Sequence, residues 1–219
     1  MVADASTTIL SWLDRHFSVE LPFTRFGRNI LLLSLIGLVP VLALYIALTP
    51  GFWSHLIATD AALARFVRQI ATNGLPVVAV VNALGLVLFA RLRADLLRPG
   101  IALAIDIPAR IGGFLGLHAV IYPASALMFG SFGGDPLQAL RVVGPTLARA
   151  AAFDNLSGVY LYATLVGAIP LHMALAGVAA RRHGNGNASL LVLSVAALAL
   201  FGLQAAILTG SALLLGAPR

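Results

Sequence analysis

IGGFLGLHAVIYPASALMFGS, residues 111–131, and NLSGVYLYATLVGAIPLHMALAGVAA, residues 155–180, decide the fold. Neither contains a charged residue. At ~1.5 Å per residue, each is long enough to cross a hydrocarbon core of ~30 Å as a helix. Paired as an antiparallel hairpin, they carry one histidine each, His118 and His172. His118 lies seven residues into the first run and His172 eight from the end of the second. That spacing predicts both imidazoles roughly 10–12 Å below the same membrane surface. An ionisable side chain at such depth is a candidate functional group.

Composition extends the membrane reading to the whole chain. Of 219 residues, 60% are hydrophobic and only 10% charged, against about 25% charged in a soluble domain. Too few charges remain to cover a water-facing surface, and the length suits one integral membrane domain spanning residues 1–219. The net charge of +6 comes from arginine alone, since lysine is absent. Those arginines flank apolar runs, so the lipid bilayer's headgroups are the expected counter-charge. No basic-aromatic pattern points to nucleic acid. The absence of cysteine excludes thiolate metal sites and disulfide exchange. The absence of lysine excludes a Schiff base to retinal or pyridoxal phosphate.

The chain reads as an all-α polytopic bundle of about five transmembrane helices with interfacial amphipathic helices. Residues 1–28 form an interfacial N-terminal segment, with Trp12 and Phe17 as anchors. They lack the basic start of a cleavable signal. The spans fall at about 29–48, 75–92, 111–131, 155–180 and 188–215. Pro40 kinks the first. A surface helix is expected within 50–74 and another within 133–154, the latter interrupted at Gly144-Pro145. Residues 91–110 read as a basic connection turned by Pro99-Gly100. Asp154 is expected to cap the fourth span. No Asp or Glu is expected inside any span, which argues against a metal-transport site or a carboxylate proton relay. No metal site is expected.

With five spans, nine arginines fall on the side of the N-terminus and five on the other. The positive-inside rule then predicts a cytoplasmic N-terminus. The arginine-only basic set, with abundant Ala, Gly and Leu, is typical of a GC-rich bacterial genome and suggests the bacterial inner membrane.

Three readings of the histidines follow, one of them as part of a substrate path. In a second, His118 and His172 are axial ligands of a b-type haem, with Tyr122 and Asn82 as supporting groups. Arginines of the 91–110 connection would then pair with the propionates. In the third, each histidine donates to a backbone carbonyl freed by a nearby proline, Pro123 or Pro170. Gly112 and Gly116 make a GxxxG face for close helix approach.

The run RIGGFLGLHAVIY, Arg110–Tyr122, resembles the helix opening of ferric-reductase-like transmembrane proteins, which include the haem-binding membrane subunit of the methionine-sulfoxide reductase system. The resemblance rests on Arg110, on Leu115, Gly116 and Leu117, and on Ala119 and Tyr122. It implies a haem-binding electron-transfer role. The family's haem histidine would fall near Ala126, so its ligands do not carry over to this chain. The expected function is a non-catalytic structural or assembly subunit of a larger membrane complex, with other membrane protein subunits as partners. The alternative is a b-type haem electron-transfer subunit, and a small transporter comes third.

Overall fold

The computed structural model describes Ser11, Arg15, His16 and residues 20–92 and 99–169. The expected fifth span (188–215), the fourth span beyond residue 169, His172 and most of the interfacial N-terminal segment lie outside these residues. Every regular element among the described residues is helical.

Helix α1, Phe23–Leu48, starts behind Pro22 and carries Pro40 inside it. Its 26 residues cover about 39 Å at helical rise, six residues more at the N-terminal end than the apolar run alone indicates. Thr49 ends it, its backbone N–H and its hydroxyl both donating to the Tyr45 carbonyl. After a π-helical turn (Phe52–Leu56), α2 runs Asp60–Gln69. Its N-cap is Thr59, whose hydroxyl accepts from the Ala62 N–H at 3.2 Å.

The break expected between the surface helix and the second span does not occur. Ile70–Gly74 forms a second π-helical turn, with Gln69 and Leu75 both in the right-handed helical region, and α3 continues directly as Leu75–Leu92. Pro76 has no N–H to donate. The wide turn, in which the Leu75 N–H reaches the Ile70 carbonyl, takes the chain past it without a break.

Helix α4 is the main departure. It runs Pro99–Phe129, through residues expected to form a connection. Pro99 suits a first helical turn, where its missing N–H costs nothing. Pro108 and Pro123 are carried inside the helix. Asp106 and Arg110 are therefore helical, and Asp106 sits one turn from Arg110 instead of in a loop. Gly130, at φ +66°, ends α4.

Helix α5, Pro136–Ala151, runs uninterrupted through Gly144-Pro145. Asp135 caps it, accepting from the Leu137 N–H at 2.8 Å. Helix α6, Leu156–Gly167, is capped by Asn155, which accepts from Gly158 N–H at 3.0 Å. Asp154, expected as that cap, instead accepts from Arg149 at 2.9 Å on the surface.

Helix α1 packs on α3 and α6, α3 also on α4 and α6, and α5 against α4 and α6. Leu38, Val41, Val78, Val81, Phe114, Val159 and Leu165 form the shared core. Three helical stretches, Phe23–Leu48, Asp60–Leu88 and Pro108–Phe129, are long and apolar enough to cross a membrane, and Leu156–Gly167 is a shorter apolar helix. Between lipid-immersed helices the gain from packing is dispersion and hydrogen bonding rather than release of water. Close approach is therefore decisive, and among the described residues it does not occur at the GxxxG face. Gly112 and Gly116 have no described residue within 4 Å of the position a Cβ would take. Close packing is instead found at Gly37, where a Cβ would overlap the Ala163 carbonyl, and at Gly74, Gly85 and Gly167 among others.

Candidate functional site

Two polar features occupy the described bundle. The first is a junction around Arg110, which is 1% exposed. Its Nε donates to Asp106 Oδ1 at 2.8 Å, the i,i+4 spacing that puts both on one face of α4. Its Nη1 donates to Asn82 Oδ1 on α3 at 2.9 Å and to the Thr164 carbonyl on α6 at 3.2 Å. Asn82 Nδ2 donates in turn to Ser34 Oγ on α1 at 3.3 Å, and the Ser34 hydroxyl donates to the Ile30 carbonyl at 2.8 Å. One chain of hydrogen bonds thus ties four helices together. Glycines make room for it: a Cβ at Gly85 would overlap the Arg110 guanidinium, and one at Gly167 would stand under 3 Å from the Asn82 amide. Asp106, Asn82, Ser34 and Thr164 are all buried.

This junction changes two expectations. Asn82 is committed to Arg110 and Ser34, and so does not stand beside His118 as a haem-supporting group. Arg110 is not a connection residue: it is buried in the bundle, with three of its five N–H donors bonded to Asp106, Asn82 and the Thr164 carbonyl. The side chains of Arg91, Arg93 and Arg98 lie outside the described residues.

The second feature is a cleft of about 530 Å³ between the π-helical turn at 70–74, the second half of α4 and the start of α6. His118 and Tyr122 line it from α4, Thr72 and Asn73 from the turn, and Tyr160 from α6. The His118 ring packs on Phe114 at 4.3 Å and on Tyr122 at 5.9 Å, so Tyr122 shares its face as its spacing indicates. His118 Nδ1 lies 2.9 Å from the Phe114 carbonyl. Since that oxygen only accepts, Nδ1 carries the proton, and Nε2 of the neutral ring is an acceptor. The carbonyl that Pro123 frees belongs to Ala119, so His118 is not held by a proline-freed group. The Tyr160 hydroxyl is buried with no hydrogen-bond partner among the described residues.

No family profile, no curated protein and no solved structure matches this chain.

The geometry of the site sets the register of α4 against α6. Arg110 meets Thr164, and eight residues further along α4 His118 shares a cleft with Leu156 and Tyr160, at the start of α6. Sequence reasoning named His118, Tyr122 and Asn82, and placed Arg110 only in a basic connection; Asp106, Ser34, Thr164 and Tyr160 were not singled out as site residues. The available signal was the Asp106–Arg110 spacing in DIPAR. Among the described residues, no group of three or more histidine or carboxylate side chains could hold a metal ion.

Proposed function

We propose that this chain is a non-catalytic structural or assembly subunit of a larger complex in the bacterial inner membrane, with its N-terminus cytoplasmic. The observation that carries the reading is the closure of the Arg110 junction. A transport path or proton relay needs charged groups that face a cavity and change partners. Arg110 is sealed between helices, with protein groups as its partners, and works as a pin that fixes their register. Exposed apolar side chains on the two amphipathic helices, Leu63 and Val67 on α2 and Leu137 and Leu140 on α5, offer further surface for lipid or for other subunits. The test is the mass of the particle released from its native membrane in mild detergent. The proposal expects stoichiometric companion polypeptides with this 22.8 kDa chain. A particle holding only this chain overturns it.

A second reading, a b-type haem electron-transfer subunit, draws on one observation. His118 Nδ1 is anchored on a backbone carbonyl, leaving Nε2 directed away from that bond, the arrangement that orients imidazole ligands at metal centres. In this reading His118 and His172 would be the residues that hold the haem. Bound haem would supply one-electron transfer, with His118 holding and orienting it. The visible spectrum before and after dithionite decides: a Soret band that shifts on reduction and is lost in His118→Ala or His172→Ala supports haem. A featureless spectrum after expression with ample haem removes this reading.

A further inference from the structure

We infer that the N-terminal end of α1 seats one anionic phospholipid, its phosphate on Arg25 and Arg28 and its acyl chains along the helix. Ser34 stands near the middle of α1 and is tied through Asn82 to the Arg110 junction. Arg28 precedes Ser34 by six residues and Arg25 by nine, roughly 9 and 14 Å along the axis at helical rise. Half of a hydrocarbon core is ~15 Å. With the middle of α1 at the bilayer midplane, both backbones therefore lie inside the core, and the long side chains reach outward to the headgroups. Both arginines are exposed, and neither has an ion-pair partner among the described residues. A cation at that depth is costly unless an anion meets it. With Thr24 the two arginines line an open hollow of about 510 Å³. The helix end is not itself the receptor, because the Arg25 and Phe26 N–H groups already donate to the Pro22 carbonyl at 2.9 and 3.0 Å.

The rest of the face identifies the anion as a lipid. Arg25, Arg28, Leu32, Ile36 and Val39 follow one another at spacings of three and four residues, which puts them on one stripe of α1. Leu32, Ile36 and Val39 are each more than half exposed, whereas Ile30, Leu33, Gly37 and Leu38 are buried against the bundle. Two guanidinium groups one turn apart suit the oxygens of a phosphate, which accept from their planar donors. The apolar stripe that continues from them, roughly 10 Å from Leu32 to Val39, suits acyl chains. A free phosphate would use only the first of these features. A zwitterionic headgroup would bring its own cation against the arginines, so the lipid is one with net negative charge. The inference goes beyond a general attraction to the bilayer by giving one lipid a fixed position, and it is independent of whether the chain is a structural subunit.

The test places the full chain in vesicles of phosphatidylcholine and phosphatidylglycerol in equal amounts, releases it in mild detergent and counts bound lipid by native mass spectrometry. Wild type should retain one phosphatidylglycerol in preference to phosphatidylcholine. When phosphatidylglycerol is titrated onto the detergent-solubilised chain, Arg25→Gln/Arg28→Gln should bind it about 25-fold more weakly, roughly fivefold for each arginine. Arg65→Gln/Arg68→Gln removes an equally spaced, exposed pair from α2, and with it the same net charge, and should leave retention unchanged. An excess of inorganic phosphate should leave the lipid in place, because it cannot use the apolar stripe. Displacement by inorganic phosphate would assign the arginines to a free anion and overturn the lipid site. Retention of the two lipids in proportion to their supply, or equal losses in the two double variants, also overturns it. The wild-type preference needs no variant and decides the matter if Arg25→Gln/Arg28→Gln does not fold.

Discussion

Replacing Arg110 by methionine keeps an unbranched side chain and removes the guanidinium. Three hydrogen bonds are lost, to Asp106 at 2.8 Å, to Asn82 at 2.9 Å and to the Thr164 carbonyl at 3.2 Å. Bonds to a charged group are each worth about 1.5–3 kcal/mol, but their sum overstates the effect, because the ion was itself costly to bury. The measured cost of removing one partner from a buried ion pair is about 3–5 kcal/mol, and that is the expected destabilisation of Arg110→Met. Asp106→Leu alone should cost a similar amount, since it leaves a buried cation. The double variant should recover most of the loss, giving a coupling energy of at least ~2 kcal/mol of the kind close pairs show. The assay is equilibrium unfolding in mixed micelles of mild detergent and dodecyl sulfate, followed by loss of helical circular dichroism. A single-variant cost below ~1 kcal/mol, or a double variant equal to the sum of the singles, would refute the junction as drawn.

Other consequences are local. Gly37→Ala should destabilise the chain more than any open glycine, by about 1–3 kcal/mol as an overpacked contact, because the new methyl group meets the backbone of Ala163 rather than a side chain that can move. The same unfolding titration checks it, with no loss as the contradicting result. Asn155→Ala should cost about 1 kcal/mol through loss of the α6 cap, whereas Asp154→Ala, which removes only an exposed ion pair, should cost no more than ~1 kcal/mol and as little as nothing. Equal and large losses in the two would contradict the assignment of Asn155 as the cap.

Much of the helical architecture was legible because a chain in lipid must satisfy its backbone within each segment, so apolar runs translate directly into helices. The bounds of α3 agree with the expected second span, α1 contains the first, and α4 covers all but the last two residues of the third. The start of α4 was obscured by chemistry that usually means a turn. Pro99-Gly100, Pro108 and flanking arginines read as a connection, yet Pro99 fits a helix start and Pro108 is tolerated inside α4. Once the helix runs through them, the i,i+4 pair Asp106–Arg110 falls on a buried face, a consequence the spacing alone held in plain view. The small-residue pattern misled for a different reason. Gly112 and Gly116 permit close approach but do not compel it, and glycines that are used, such as Gly37, Gly74, Gly85 and Gly167, are separated along the chain and matched only in three dimensions. Tyr160 carried no signal, because its lack of a partner is a property of the packed helices and not of any local motif.

The central claim, that the bundle closes around Arg110 and not along the GxxxG face, is tested most directly by comparing the unfolding free energies of Gly85→Ala and Gly116→Ala in the isolated chain. A methyl group at Gly85 overlaps the guanidinium, whereas one at Gly116 meets none of the described residues. The account predicts a loss of about 1–3 kcal/mol for Gly85→Ala. For Gly116→Ala it predicts no loss, or a gain of up to ~1 kcal/mol from better helix propensity. A tolerated Gly85→Ala with a destabilising Gly116→Ala would contradict it.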